Sequence, residues 1–398
     1  MKPLHYYFLG TAAWYLAYGI QSVTFAWLVT IVLAESPTMV GFAQMAFLLP
    51  AMLLMLVGGS LADQVGGRRM ALIGQLLAAT APLFLIGTIL LDQFTYSMLI
   101  VFAVIIGCSQ ALVTPARDGL LAQVADGRIQ QRVVQVSMIQ FGIQMLGFVI
   151  AAFADTFGSV VILTLQSLFL FAGAVAFYRL QLPFEAPVRH SNKMLQQIAY
   201  SIVEGYHSVR QSPHMTAVVL QNCAMGIFFM GSYIVTIPLL IREEYSGSSI
   251  ELSWVNGANA LGLVLTVLLL MRFGDIRRQG RALLIAQMLG SIALLCGGLE
   301  LGFNSLIICV FAWGLCGGVA MTMSRTVMQV QAPENQRARM MSFYSFSFLG
   351  AGPIGAILCG FLVDLLGASM TLIICPAGML IFCIYMSFRS PLWSLGKS

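Results

Sequence analysis

The sequence predicts an all-α integral membrane protein, with twelve transmembrane helices in two six-helix, pseudo-symmetric bundles. Of its 398 residues, 59% are hydrophobic and only 9% are charged, whereas a soluble domain carries about 25% charged residues. Its apolar runs, such as 46–57 and 76–91, are continuous and do not alternate with polar residues. Because a chain in lipid must satisfy its own backbone hydrogen bonds, and barrel strands would alternate, these runs indicate helices.

Twelve apolar stretches approach the length of about 20 residues that a helix needs to cross the hydrocarbon core. The first stretch is too long for the apolar core of a signal peptide and lacks a cleavage site, so it is interpreted as a membrane helix. The predicted spans are 7–33, 38–61, 70–91, 96–117, 133–154 and 159–180 in the N-terminal half, and 214–240, 250–272, 282–301, 305–326, 340–363 and 368–388 in the C-terminal half.

Positively charged residues accumulate on one side of this topology. Of the 20 lysines and arginines, all but Arg242 fall on the side that also holds both termini. Because cytoplasmic loops are enriched in lysine and arginine, we expect both termini in the cytoplasm and the chain in the bacterial inner membrane. The basic residues sit in short loops between apolar spans, which argues against nucleic-acid binding despite the net charge of +5.

The two halves carry related residues at matching positions. Arg117 ends the fourth predicted span and Arg325 ends the tenth. An Asp-x-x-Gly element begins at Asp155 after the fifth span and at Asp364 after the eleventh. Such matches at nearly one offset predict a duplicated six-helix unit, which is a transporter architecture.

The longest polar stretch separates the two halves. We therefore predict an N-terminal bundle over 1–180, a cytoplasmic linker over 181–213 and a C-terminal bundle over 214–398. Within the linker, apolar residues at helical spacing predict an amphipathic helix on the cytoplasmic surface. These residues are Leu195, Ile198, Ala199, Ile202, Tyr206 and Val209.

A glycine-rich, charged motif follows the second span, where residues 58–69 read GGSLADQVGGRR. It resembles the signature loop G-x-L-a-D-r-x-G-r-R/K of the major facilitator superfamily, although Gln64 and Gly67 depart at two usually basic positions. The resemblance implies the major facilitator fold and secondary transport. In this superfamily the aspartate of the motif latches the two halves together in the outward-open state. The resemblance therefore implies a gating role for Gly59, Asp63, Gly66, Arg68, Arg69 and Arg117.

Two further stretches narrow this resemblance. Residues 114–121 read TPARDGLL, and residues 325–339 read RTVMQVQAPENQRAR. Both are similar to the siderophore-exporter and macrolide-efflux branch of drug:proton antiporters, which favours export of a drug or siderophore-like metabolite. One departure is that the fifth span lacks the proline of the exporters' G-P-x-x-G-G element, while a similar element lies at 352–355 in the eleventh span.

The resemblance also implies that the first, fourth, seventh and tenth spans line a central cavity. Their side chains are aromatic, thioether and amide groups, which suit bulky amphipathic molecules better than sugars or phosphates. The alternative for each is helix packing. The candidate substrate-binding residues are Trp14, Tyr18, Gln21, Gln110, Thr114, Gln140, Gln144, Asn222, Phe229, Tyr233, Asn256, Trp313, Met321 and Arg325.

Coupling to protons is implied only by the resemblance. A charge at the bilayer centre costs about 2.5–3.5 kcal/mol and is usually functional, but no acidic, basic or histidine residue falls clearly in the middle of a predicted span. The remaining candidates for the proton carrier are Asp63, Asp155, Glu300 and Asp364.

Two alternatives to an exporter stay open at this point: an importer of a small organic solute on the same fold, and a non-transporting receptor or scaffold. A membrane enzyme is not supported, because the sequence has no HExxH, GxSxG or phosphate-binding loop. The eight cysteines fall inside the spans without metal-ligand spacing. We therefore expect no metal and no cofactor; the expected partners are a small-molecule substrate, protons and lipid, and the resemblance implies a monomer.

Overall fold

The computed structural model describes residues 3–124, 129–181, 207, 209–273, 276, 278–332 and 337–395. Helices joined by short loops account for these residues, and no strand occurs among them. The long helices are α1 (Pro3–Val32), α2 (Pro37–Val65), α3 (Gly67–Leu90), α4 (Tyr96–Val124), α5 (Ile129–Ala151), α6 (Ser159–Arg179), α7 (Pro213–Glu243), α8 (Ser249–Phe273), α9 (Gln279–Gly297), α10 (Phe303–Gln331), α11 (Arg337–Leu366) and α12 (Ala368–Arg389).

Each predicted span overlaps one of these helices, which confirms the all-helical membrane fold. Within the described residues, eleven helices are long and apolar enough to cross a membrane, and α5 adds a shorter apolar segment, Gln135–Ala151. The linker residues 182–206 and 208 lie outside the described part of the chain, so the predicted amphipathic helix and domain boundaries stay predictions.

Several helices extend past the ends of the predicted spans. The signature motif, expected to form a loop, is helical up to Val65, and α3 begins at Gly67. Packing accounts for the extension, because Ala62 is buried in a cluster with Met70 and Leu120. Apolar contacts thus continue beyond the stretch that hydropathy alone would place in the bilayer.

The Asp-x-x-Gly repeat is visible in the backbone. Gly158 and Gly367 precede α6 and α12 with φ of +82° and +83°. Because L-residues with a side chain rarely adopt this conformation, glycine is required at both turns. The two halves therefore enter their last helices through the same local geometry.

Glycines also allow close helix packing in both halves. A Cβ atom at Gly147 of α5 would overlap the Leu16 carbonyl oxygen of α1, and one at Gly355 of α11 would overlap the Ile227 carbonyl oxygen of α7. The first contact lies in the segment that lacks the exporters' proline. Close packing of α5 against α1 is therefore present in this segment without the proline.

The first helix of each half contains π-helical turns. In α1 they occupy Leu28–Val32, and in α7 they occupy Gly226–Met230 and Ser232–Thr236. Such wide turns are rare in proteins overall, but where they occur they often lie at functional sites.

The helices group into two compact units, which are described separately. Unit 1 comprises Met1–Ala34, Ala46–Ile198 and Ser248–Ser253, and unit 2 comprises Glu35–Met45, Ala199–Gly247 and Trp254–Ser398. The first residues of α8 therefore belong to unit 1, and the first residues of α2 belong to unit 2.

Candidate transport site

The predicted gating residues of unit 1 lie around the α2–α3 junction. The Arg68 guanidinium donates hydrogen bonds to the carbonyl oxygens of Tyr178 and Leu180, at 3.4 and 3.1 Å, and so holds the end of α6. Arg69 is exposed, and Gly66 separates the two helices. Gly59 and Asp63 lie near the end of α2; the Asp63 side chain lies outside the described part, so its gating role stays a prediction.

Arg117, the remaining gating candidate, lies inside unit 1 with 3% of its surface exposed. Its Nη2 atom donates a hydrogen bond of 2.9 Å to the Tyr15 hydroxyl, and its guanidinium lies 4.6 Å from the centre of the Tyr15 ring. The carboxylate of Asp118, at 3.8 Å, is two-thirds exposed. The Nε and Nη1 atoms of Arg117 have no hydrogen-bond partner among the described residues.

This geometry leaves a buried positive charge only partly compensated. Burial of an incompletely paired charge is costly, so the Tyr15 ring and hydroxyl are its main stabilisation. Tyr15 was not among the residues predicted from sequence, because it lies beside, and not on, the face of α1 defined by Trp14, Tyr18 and Gln21.

Those three predicted residues of α1 are packed within unit 1. They line a void of about 20 Å³ together with Gln166 of α6, and the Gln166 Nε2 atom donates a hydrogen bond to Gln21 Oε1. Such a void is large enough for one water molecule. The other predicted residues of this unit, Gln110, Thr114, Gln140 and Gln144, are half-buried on α4 and α5.

In unit 2 the structure brings four predicted residues together. The Tyr233 hydroxyl donates a hydrogen bond of 2.7 Å to Asn256 Oδ1. The rings of Tyr233 and Phe229 lie 5.3 and 5.8 Å from the Trp313 ring, centre to centre. We call Phe229, Tyr233, Asn256 and Trp313 the aromatic–amide cluster; it joins α7, α8 and α10, and all but Phe229 are half-buried.

The other predicted residues of unit 2 lie apart from this cluster. Asn222 is buried, and its Nδ2 atom donates a hydrogen bond of 3.5 Å to the Tyr344 carbonyl oxygen. Met321 and Arg325 are exposed on α10. Tyr344, which the sequence analysis missed, shares a 2.8 Å hydrogen bond with Ser324.

Asp155, a proton-carrier candidate, caps the start of α8 within unit 1. Its Oδ2 atom accepts a 2.7 Å hydrogen bond from the Ser249 backbone N–H, and its Oδ1 atom accepts a 2.9 Å bond from the Trp27 indole. Partial burial opposes the charged form, but the bonds from Ser249 and Trp27 outweigh it and lower the pKa of this carboxyl. These hydrogen bonds favour the ionised form of Asp155.

Asp364, the counterpart of Asp155 in the repeat, also caps the start of a helix, in unit 2. Its Oδ2 atom accepts hydrogen bonds from the backbone N–H of Thr38, at 3.0 Å, and from the Thr38 hydroxyl. It thereby caps the first turn of α2, where the helix dipole favours a negative charge. Glu300, the other outer candidate, is exposed in the turn before α10 with φ of +54°.

The sequence matches the transmembrane secretion effector family over residues 8–395. The chain belongs to this family of major facilitator transporters. The match confirms the superfamily resemblance, and the relatives are transporters and not enzymes. The multidrug efflux pump Tap of Mycolicibacterium fortuitum is 25% identical over 386 residues, covering 93% of this chain and 91% of its own.

A second relative of this transporter is the uncharacterized MFS-type transporter YfiS of Bacillus subtilis (strain 168), 25% identical over 360 residues, which cover 86% of this chain and 82% of YfiS. Solved structures share the fold. A POT family transporter in complex with 5-aminolevulinic acid matches with a TM-score of 0.80 and 15% identity, covering 98% and 96% of the two chains. The nucleoside transporter NupG matches with a TM-score of 0.72 and 12% identity, covering 98% and 100%.

Proposed function

We propose that this major facilitator transporter exports bulky amphipathic small molecules across the bacterial inner membrane by alternating access, in exchange for protons. The observation that carries the proposal is the aromatic–amide cluster of α7, α8 and α10. The efflux activity named for the relative Tap supports the direction. We further propose that both termini are cytoplasmic and that the protein acts as a monomer.

The chemistry of the cluster fits an amphipathic substrate. Three aromatic rings offer faces and edges for an apolar or cationic ring system, with stacking worth about 0.5–1.5 kcal/mol per pair. Tyr233 and Asn256 supply a hydroxyl and an amide that orient one polar group. No acidic or basic residue belongs to the cluster, so it lacks the cation that would bind a phosphate.

The proton carriers proposed are Asp155, Asp364, Glu300 and Asp63. Protonation of Asp155 or Asp364 would weaken the helix cap that it forms, because a protonated carboxyl loses most of its attraction for a helix N-terminus. Proton binding from the outer side would therefore weaken the contacts that hold the starts of α8 and α2.

Export is tested with everted membrane vesicles and ethidium, a fluorescent amphipathic cation. Energised vesicles that contain the wild-type protein are expected to accumulate the dye, and a protonophore is expected to abolish accumulation. The variant Trp313→Ala is expected to raise the apparent KM about two- to tenfold, since it removes both ring contacts.

Trp254→Ala is the matched control. Trp254 lies on α8, is 63% exposed and belongs to no described ring pair, so its loss is expected to leave KM unchanged. Uptake of the dye by whole cells, with none in everted vesicles, would overturn the export proposal in favour of import. Equal KM values for the two variants would show that the aromatic–amide cluster is not part of the substrate-binding site.

A further inference from the structure

A second recess lies on unit 2, between α8, α9 and α10, and contains no residue of the aromatic–amide cluster. Its volume is about 590 Å³, within the range of pockets that hold small molecules. On α9 its wall is formed by Ala282, Ile285, Ala286 and Leu289, which share one helical face by their spacing. The two alanines leave the space that larger side chains would fill.

The recess offers almost nothing but hydrocarbon. Its one hydroxyl, that of Thr266, is already used, because it donates a 2.8 Å hydrogen bond to the Leu315 carbonyl oxygen. A sugar, nucleotide or peptide bound there would lose hydrogen bonds to water without replacing them. Only an alkyl chain or another apolar group fits this chemistry.

The recess opens towards the surrounding lipid. Leu269, Ile285 and Leu289 on its wall are 41%, 44% and 53% exposed. In a membrane helix such side chains face lipid, so the occupant would enter from the bilayer. An acyl chain of a phospholipid has access to this position without crossing any part of the protein.

One end of the recess reaches the α8–α9 loop, because Ile276 of that loop also lines it. Residues 272–281 contain four arginines and one carboxylate, Asp275, which lies outside the described residues. Arg272 and Arg278 are exposed, and neither makes an ion pair in the described part of the chain. Arg278 directly precedes the first turn of α9, the helix whose Ala282 lines the recess.

A third arginine of the loop is already engaged. The Arg281 Nε atom donates a 2.7 Å hydrogen bond to the Trp393 carbonyl oxygen, and its guanidinium lies 5.1 Å from the centre of a Trp393 ring. The turn at Pro391–Ser394 is thereby held against the start of α9. Arg272 and Arg278 are the described arginines of this loop whose side chains are exposed to a ligand.

We propose that this recess is a binding site for an anionic phospholipid, with one acyl chain between α8, α9 and α10 and the phosphate at Arg272 and Arg278. Arginine matches the geometry of phosphate oxygens, and basic pockets between transmembrane helices bind anionic headgroups. A zwitterionic lipid is selected against, because its amine adds positive charge beside the two arginines. The site is independent of the transported substrate.

Native mass spectrometry of the purified full chain tests the site. The protein is incubated with equal amounts of phosphatidylglycerol and phosphatidylethanolamine, and the lipid retained after detergent removal is counted. Wild-type protein is expected to retain phosphatidylglycerol in preference. The double variant Arg272→Gln/Arg278→Gln is expected to lose that preference by about tenfold or more.

Arg389→Gln is the control, since Arg389 is an exposed arginine at the end of α12 and contributes nothing to the recess. A second variant, Ala282→Leu, fills the recess and keeps every charge; it is expected to reduce retention while the thermal unfolding midpoint stays within a few degrees. Equal retention of the two lipids by wild-type protein would overturn the proposal. So would an equal loss of the preference in Arg389→Gln, or displacement of the bound phosphatidylglycerol from wild-type protein by ethidium.

Discussion

At the scale of single residues, the most unusual feature is the cation at Arg117. Because the Asp118 carboxylate near this buried guanidinium is largely exposed, the guanidinium depends strongly on the Tyr15 hydroxyl and ring. Because a hydrogen bond to a charged group is worth about 1.5–3 kcal/mol, Tyr15 is a stabilising residue of unit 1 and not merely a packing residue.

The variant Tyr15→Phe keeps the ring and removes the hydroxyl. It is expected to lower the free energy of unfolding by about 1–3 kcal/mol, since Arg117 Nη2 loses its acceptor in a buried setting. Thermal unfolding in detergent measures the change.

Tyr178→Phe is the control, because Tyr178 is 69% exposed on α6. If both variants unfold at the wild-type temperature, the Tyr15 hydroxyl does not stabilise the buried charge.

At the scale of helices, the two Asp-x-x-Gly elements have a common task. In each, a carboxylate three residues before a glycine with positive φ caps the first residues of a helix that belongs to the other half of the sequence. The caps anchor these segments to units 1 and 2 respectively. Loss of either cap would release the start of one membrane helix.

Asp155→Ala and Asp364→Ala are each expected to lower the free energy of unfolding by about 1–3 kcal/mol, because the N–H groups at Ser249 and Thr38 lose their acceptor. Thermal unfolding and limited proteolysis of the adjoining loops measure the effect. Glu244→Ala, an exposed carboxylate at the end of α7, serves as the control; a loss of stability as large in that variant would show that the effect is not specific to the caps.

At the scale of the whole molecule, the all-helical membrane fold is the part that sequence predicts best. Continuous apolar runs fix the number and order of the helices, because a span must be both long and apolar. Their ends are less predictable, since α2 and α4 continue past the hydrophobic stretch as packed helices. Hydropathy cannot report such contacts.

The candidate site was predictable only in part. The Asp155 and Asp364 repeat is visible in the sequence, but their partners, Ser249 and Thr38, are distant in the chain and carry no local signal. The aromatic–amide cluster was found by helical spacing and the superfamily resemblance. Tyr15 was not predicted because helical spacing selects the face of α1 that carries Trp14 and Tyr18. The buried Arg117 of α4 contacts the adjacent face, where Tyr15 lies.

The orientation of the chain is testable by thiol labelling. In a background without the native cysteines, a cysteine at His5 is expected to react with an impermeant maleimide only in everted vesicles, and one at Glu244 only in whole cells, because the basic side of the chain stays in the cytoplasm. Both positions are exposed. Labelling of the His5 position in intact cells would reverse the topology.

The π turns of α7 should let this helix tolerate the loss of a residue. Each π turn closes its hydrogen bond one residue further along than an α turn, so Gly226–Thr236 holds surplus chain. Deleting one residue of either π turn would let that turn relax into ordinary α geometry while both flanks keep their facing. The same deletion at Leu220, in a regular segment, would swing every later side chain by about 100° and carry Tyr233 away from Asn256.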